Sequence, residues 1–124
     1  MPLRMLLDSG AVEPEDVALV GTRELDPPER DFIHASGLRT GKHAVDRALN
    51  GTDGVYVAID ADGLDENEVA SFMPVPGGIS LAEAEKLLNG VARSATVVGA
   101  GLSGLVPETA NLEPVARLCT ALGL

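Results

Sequence analysis

The pattern of apolar and polar positions predicts helices that alternate with short strands along the chain. Apolar residues recur at helical spacing in several segments, and between these segments lie apolar runs that are too short for helices. The predicted helices are residues 1–9, 27–36, 41–49, 80–93 and 110–122, and the predicted strands are residues 17–20, 55–60 and 95–98. This alternation predicts an α/β fold in which helices cover a parallel sheet.

The stretch Val55–Asp65 has the clearest functional pattern. Its apolar, β-branched run predicts a buried parallel strand, and the carboxylates that follow predict a site at the C-terminal end of that strand. Because strand side chains alternate between faces, we expect Asp60 and Asp62 to point the same way. Two neighbouring carboxylates repel unless a cation lies between them, and Mn²⁺ or Mg²⁺ prefers such oxygen ligands. An equally simple interpretation is that one aspartate caps the next helix and the other is solvated.

Length, charge and cysteine content restrict the class of protein. The 124 residues suffice for one ordinary domain or a piece of one. A net charge of −10 argues against nucleic-acid binding, which depends on basic residues that neutralise phosphates. No apolar run approaches the ~20 residues of a membrane span, and the N-terminus has no signal pattern. We therefore expect a cytoplasmic protein that binds no membrane, with its one cysteine, Cys119, packed on the last helix.

A glycine-rich segment, Gly99–Gly104, matches the G-x-G-x-x-G pattern and follows a predicted strand. In a dinucleotide site the third glycine opens a helix, but here Pro107 delays the next helix and no second strand follows. Nucleotide binding is therefore a minor alternative. We interpret these glycines as allowing close backbone approach beside the site.

The segment between the aspartates and the next helix is expected to line the same site. Pro76, Gly77 and Gly78 end a rigid loop, and loops at the carboxyl end of a parallel strand commonly carry function. Ser80 and Glu83 have the spacing of a capping box, which predicts that the next helix begins directly after this loop.

These motifs together resemble the C-terminal part of the ureohydrolases, the family of arginase, agmatinase and formimidoylglutamase. The resemblance rests mainly on residues 55–78, with Asp60-x-Asp62-x-x-Asp65 followed by Pro76-Gly77-Gly78. Two earlier segments agree: Met1-Pro2-Leu3 is similar to an internal Gly-Met-Pro stretch of the family, and Val20-Gly21-Thr22-Arg23 is similar to its Ile-Gly-Ile-Arg strand end. The resemblance covers nearly the whole chain.

The resemblance implies a fold, a reaction and a cofactor. Residues 1–124 would be the C-terminal portion of a single arginase-like domain with three layers, α/β/α. The complete protein would hydrolyse a C–N bond in a linear amidine, a guanidino or formimino compound, and release urea or formamide. Asp60 and Asp62 would be ligands of a binuclear manganese centre. Asp65 would support a turn or a ligand, and the Pro76–Gly78 loop would border the substrate.

The chain lacks some of the metal-binding residues of the family pattern. The family's other metal-binding segments, Gly-Gly-Asp-His and Asp-Ala-His-x-Asp, are absent, while His34 and His43 stand alone in predicted helices. We therefore expect that Met1 corresponds to an internal residue of a longer protein. We also expect that the isolated chain binds metal weakly and is inactive, and that the missing N-terminal half or a second copy completes it.

Substrate and catalytic competence stay open. The loop after Asp65 differs from the family's usual sequence, and Gly104 stands where guanidine-hydrolysing members carry a glutamate that holds the guanidinium. This makes arginine or agmatine a doubtful substrate and leaves another amidine or a formimino compound. The alternative is a non-catalytic α/β subunit that completes a partner's site, or a degenerate relative without metal.

Overall fold

The computed structural model describes residues 2–124, so Met1 and its comparison with an internal stretch of the family lie outside the described residues. The helices in this range are α1 (Pro2–Asp8), α2 (Pro27–Ser36), α3 (Lys42–Leu49), α4 (Leu81–Ser94) and α5 (Leu112–Ala121). The strands are β1 (Ala18–Leu19), β2 (Arg39–Thr40), β3 (Val55–Asp60) and β4 (Val97–Ser103). Short 3-10 turns lie at Pro14–Asp16, Ala61–Gly63 and Thr109–Asn111. No helix in the described range is long and apolar enough to cross a membrane.

The chain divides into two compact units, of which the first ends at Thr52. In this unit β1 and β2 pair in parallel. Helix α2 begins after Asp26, whose side chain accepts a hydrogen bond from the Glu29 amide at 2.9 Å, and ends at Gly37 in the left-handed conformation. The predicted helix at 27–36 is therefore confirmed. Strand β2 is an element that the sequence pattern did not predict.

The second unit, Asp53–Leu124, is built on the parallel pair of β3 and β4. One face of this pair packs against α4 and α5, and an Arg117–Glu85 ion pair also joins the two helices. The buried core residues of this unit are Ala61, Leu64, Val69, Leu81, Ala84, Leu88, Leu118, Ala121 and Leu122. Helix α4 begins at the predicted capping box, in which Ser80 and Glu83 exchange side-chain to backbone hydrogen bonds.

The other face of β3 is exposed, so the prediction of a fully buried strand was wrong for this chain. Residues alternate between partly buried and exposed along the strand, and the Tyr56 side chain is 64% exposed. The continuous apolar run is consistent with a strand covered on both faces, but the described residues cover only one.

Strand β4 is longer than the predicted residues 95–98 and includes most of the glycine-rich segment. The Tyr56 ring lies over this part of β4. A Cβ atom on Gly99 would lie 3.1 Å from Tyr56 Cδ2, and one on Gly101 would lie 2.6 Å from the Tyr56 hydroxyl oxygen. These glycines therefore make room for a neighbouring ring within the sheet. They do not form the turn that opens a helix in a dinucleotide site.

Candidate metal centre

Asp60 is the last residue of β3 and is exposed at the carboxyl end of the strand pair. It pairs in register with Ser103, the last residue of β4. The next residue, Gly104, has φ of 75°, and a Cβ atom placed on it would lie 2.6 Å from Asp60 Oδ1. A glycine at position 104 thus permits the left-handed backbone and leaves space for the Asp60 carboxylate.

Asp62 lies in the 3-10 turn Ala61–Gly63 that follows β3, and it is half-buried. The alternation of strand side chains therefore stops before Asp62, and the argument that placed both carboxylates on one strand face does not apply to it. The turn is nevertheless well anchored, because Ala61 and Leu64 on either side of Asp62 are buried in the core. Both aspartates thus lie at the C-terminal end of β3, but Asp60 belongs to the strand and Asp62 belongs to the turn that follows it.

Asp65 closes a local turn. Its Oδ1 accepts hydrogen bonds from the Asn67 amide and from Asn67 Nδ2, both at 2.9 Å. The backbone bond, and then the side-chain bond, hold the pKa of Asp65 below its usual value because they favour the charged carboxylate. This geometry agrees with the expected turn role, and a supporting role toward a metal ligand stays a prediction.

The loop from Asp65 to Gly78, hereafter the 65–78 loop, closes tightly at its end. Gly77 has φ of 85°, and a Cβ atom on Gly78 would lie 2.1 Å from the Leu64 carbonyl oxygen. Such close backbone approach is possible only for glycine. Gly77 and Gly78 are therefore required for loop closure, and the expected contact of the Pro76–Gly78 segment with substrate stays a prediction.

The described residues contain no group of three or more His, Cys, Asp or Glu side chains that could hold a metal ion. His34 and His43 are exposed on α2 and α3, in the first unit. Asp60 and Asp62 thus supply oxygen donors of the type that Mn²⁺ prefers, but too few for a complete site. The residues present fit one part of a manganese centre.

Two residues near this end of the sheet were not identified from the sequence. Ser103 is the register partner of Asp60, and Asn111 is a buried polar residue whose side chain reaches the 65–78 loop. An asparagine before a helix normally suggests a cap. The Asn111 side chain makes no cap hydrogen bond to α5, so its local sequence context gave no signal of its role.

Comparison with known proteins relates this geometry to one family. The sequence profile of the arginase family matches residues 1–122. Arginase from Bacillus subtilis is 37% identical over an alignment of 86 positions that covers 58% of this chain and 29% of that protein. Arginase from Bacillus caldovelox is 29% identical over an alignment of 129 positions, gaps included, that covers 92% of this chain and 43% of that protein.

Comparison with solved structures leads to the same family. The crystal structure of Bacillus subtilis arginase superposes with a TM-score of 0.77 and 28% identity over 90% of this chain and 44% of that one. The chain thus spans less than half the length of these relatives, and it corresponds to their C-terminal part. Its helices and parallel strands form part of an arginase-like α/β fold. The chain belongs to the arginase family.

Proposed function

We propose that this chain supplies part of the metal site of a manganese-dependent hydrolase that cleaves C–N bonds in linear amidines. In this proposal Asp60 and Asp62 are two ligands of a binuclear centre, and the remaining ligands come from outside the described residues. The observation that carries the proposal is the position of these carboxylates at the carboxyl end of β3, beside a glycine that keeps Asp60 unobstructed. Membership of the arginase family supports the same reaction class.

The chemistry of the site suits this reaction. When bound, manganese ions lower the pKa of water and supply a nucleophile near neutral pH. The chain's own contribution is positional: Ala61 and Leu64 are fixed in the core, and they hold the backbone from which both carboxylates extend. Asp60 and Asp62 would orient the metals, and the 65–78 loop would border the space beside them.

The isolated chain is expected to bind Mn²⁺ weakly and to show no turnover. Two carboxylates give fewer than the six or so oxygen or nitrogen ligands that such an ion takes, so water must fill the rest. Binding affinity therefore depends on the ligands supplied by the remainder of the protein.

The test is the manganese content of the complete protein after loading with Mn²⁺ and desalting, measured by inductively coupled plasma mass spectrometry. We expect Asp60→Asn and Asp62→Asn each to lower the content, because an amide carries no charge to offset the cation. The matched control is Asp53→Asn, since Asp53 is an exposed carboxylate just before β3, at the strand's other end. Unchanged manganese content in both site variants would refute the metal role.

The substrate is proposed to be an amidine or formimino compound rather than arginine or agmatine. The resemblance places a guanidinium-binding glutamate at position 104, where this chain has glycine. Turnover by the complete protein should therefore be greater for a formimino amino acid, assayed by formamide release, than for arginine or agmatine, assayed by urea release. Faster urea release would contradict this assignment.

The exposed face of β3 favours a second candidate, a non-catalytic subunit. Tyr56 is largely exposed on that face, and a sheet face of this kind is normally covered in an α/β fold. We propose that the rest of an arginase-like domain, or a second copy of the chain, covers it. If Asp60→Asn and Asp62→Asn both leave the manganese content unchanged while this face is buried in an assembly, the subunit interpretation replaces the hydrolase. The cytoplasmic location remains a prediction.

A further inference from the structure

The 65–78 loop is fixed at both of its ends. Leu64 and Ile79 form a parallel bridge, the Asp65 amide donates to the Ile79 carbonyl oxygen at 2.9 Å, and the Ile79 amide donates to the Gly63 carbonyl oxygen at 3.1 Å. The middle of the loop is held by other means.

Asn111, which follows β4 in the chain, supplies one contact to the middle of the loop. It is 5% exposed and is the buried polar residue of the described chain. Its Oδ1 accepts from the Ala70 amide at 2.9 Å, and its Nδ2 donates to the carbonyl oxygens of Ala70 at 2.8 Å and Val106 at 3.0 Å. One carboxamide thus joins the middle of the loop to the segment that follows β4, across 41 positions of sequence.

The segment after Ala70 continues to the candidate site. Ser71 forms an antiparallel bridge with Leu105, and the Phe72 amide donates to the Gly104 carbonyl oxygen at 2.7 Å. Gly104 is the residue on which a Cβ atom would meet the Asp60 carboxylate. A continuous series of backbone contacts therefore runs from the Asn111 side chain to the edge of the site.

We infer that Asn111 is a positioning residue for this site: its carboxamide fixes the Ser71–Met73 segment beside Gly104 and Asp60. The function of the edge as a metal and substrate site rests on the proposed function, whereas the positioning itself does not. The side chains of Phe72 and Met73 are 78% and 70% exposed, so their own packing contributes little to holding the segment. Besides the Ser71–Leu105 bridge and the Phe72–Gly104 hydrogen bond, the buried hydrogen bonds of Asn111 hold the segment, because they fix Ala70, the residue directly before it.

The chain contains no tryptophan, which allows a direct spectroscopic test. Phe72→Trp places a single fluorophore at an exposed position of the segment. In the Phe72→Trp background, we expect Asn111→Ala to lower the fluorescence anisotropy and to speed amide exchange at residues 70–73 by about 10-fold to 100-fold, because three hydrogen bonds are lost. Asn111→Asp keeps an acceptor for the Ala70 amide but places a carboxylate oxygen against the Ala70 and Val106 carbonyl oxygens, so it should lower the anisotropy at least as much as alanine does.

The matched control is Leu118→Ala in α5, the helix that follows Asn111, since Leu118 is fully buried and its apolar side chain forms no hydrogen bond with the segment. It should destabilise the fold while leaving the anisotropy of the introduced tryptophan unchanged under native conditions. Equal acceleration of exchange in residues 70–73 and in β3 after Asn111→Ala would show a merely structural role and overturn the inference. Unchanged anisotropy would overturn it as well. Neither readout depends on Mn²⁺, so failure here is distinguishable from failure of the manganese assay.

Discussion

Substituting Gly78 by alanine should destabilise the second unit because the new Cβ atom has no space. That atom would lie 2.1 Å from the Leu64 carbonyl oxygen, 2.2 Å from the Leu64 carbonyl carbon and 2.7 Å from the Asp65 nitrogen. All three are backbone atoms, so no side chain can rotate away to relieve the clash. The backbone must separate at the point where the 65–78 loop closes.

The expected cost follows from the contacts that would separate. Two backbone hydrogen bonds join the loop ends, Asp65 to Ile79 and Ile79 to Gly63, and each contributes about 1 kcal/mol. Forcing an extra carbon into a packed region adds about 1 to 3 kcal/mol. We therefore expect Gly78→Ala to lower the free energy of unfolding by about 3 to 5 kcal/mol.

Urea denaturation monitored by circular dichroism measures this change, and Gly90→Ala is the matched control. Gly90 lies inside α4, and a Cβ atom on it would meet nothing within 4 Å. Alanine there should raise the free energy of unfolding by about 1 kcal/mol, because it has the higher helix propensity. A Gly78→Ala variant within about 1 kcal/mol of the wild type would refute the steric argument.

Three further predictions concern the same unit. Ser71 Oγ is buried and has no hydrogen-bond partner among residues 2–124, so Ser71→Ala should raise the free energy of unfolding by about 1 kcal/mol, whereas the exposed Ser103→Ala should not. Asn67→Ala should raise the pKa of Asp65 only part of the way toward its usual value, because the side-chain bond is lost while the backbone bond stays; carbon NMR titration of the carboxyl measures this, and an unchanged pKa would contradict the side-chain contact. The pKa of Asp65 is lower in the folded state than in the unfolded state, so this turn stabilises the fold at pH values above the unfolded pKa of about 4. This contribution is lost as the pH falls through the folded pKa. Leu118→Ala should cost about 2 to 5 kcal/mol in urea denaturation, and a loss below about 1 kcal/mol would mean that the core relaxes around it.

Elements determined by local sequence were predicted well. The apolar run of β3, the capping box before α4 and the proline start of α2 all depend on neighbouring residues, and the structure confirms each element. Strand β2 has only two residues and no apolar run, so its pairing with β1 is a tertiary effect that no local pattern reveals.

Features that depend on distant residues were missed or misplaced. The glycines of β4 lower its intrinsic strand preference, and they are accommodated because the Tyr56 ring, from the neighbouring strand β3, lies over them. Asn111 was not identified because its partner Ala70 is 41 positions away. The relation of Asp60 to Asp62 was misjudged because the strand ends at Asp60 and a 3-10 turn follows.

The two faces of β3 have different roles in the proposed site: one is packed in this chain, and the other is exposed. Val57 and Ile59 pack against the core, and this packing fixes the end of the strand from which the aspartates extend. Tyr56 and Asp60 lie on the exposed face, so the described residues add no ligand or cover there. If the proposal holds, the chain determines where two metal ligands stand while the rest of the protein determines how tightly metal binds. Asp60→Asn should then lower the manganese content of the complete protein. It should leave the free energy of unfolding of the isolated chain nearly unchanged.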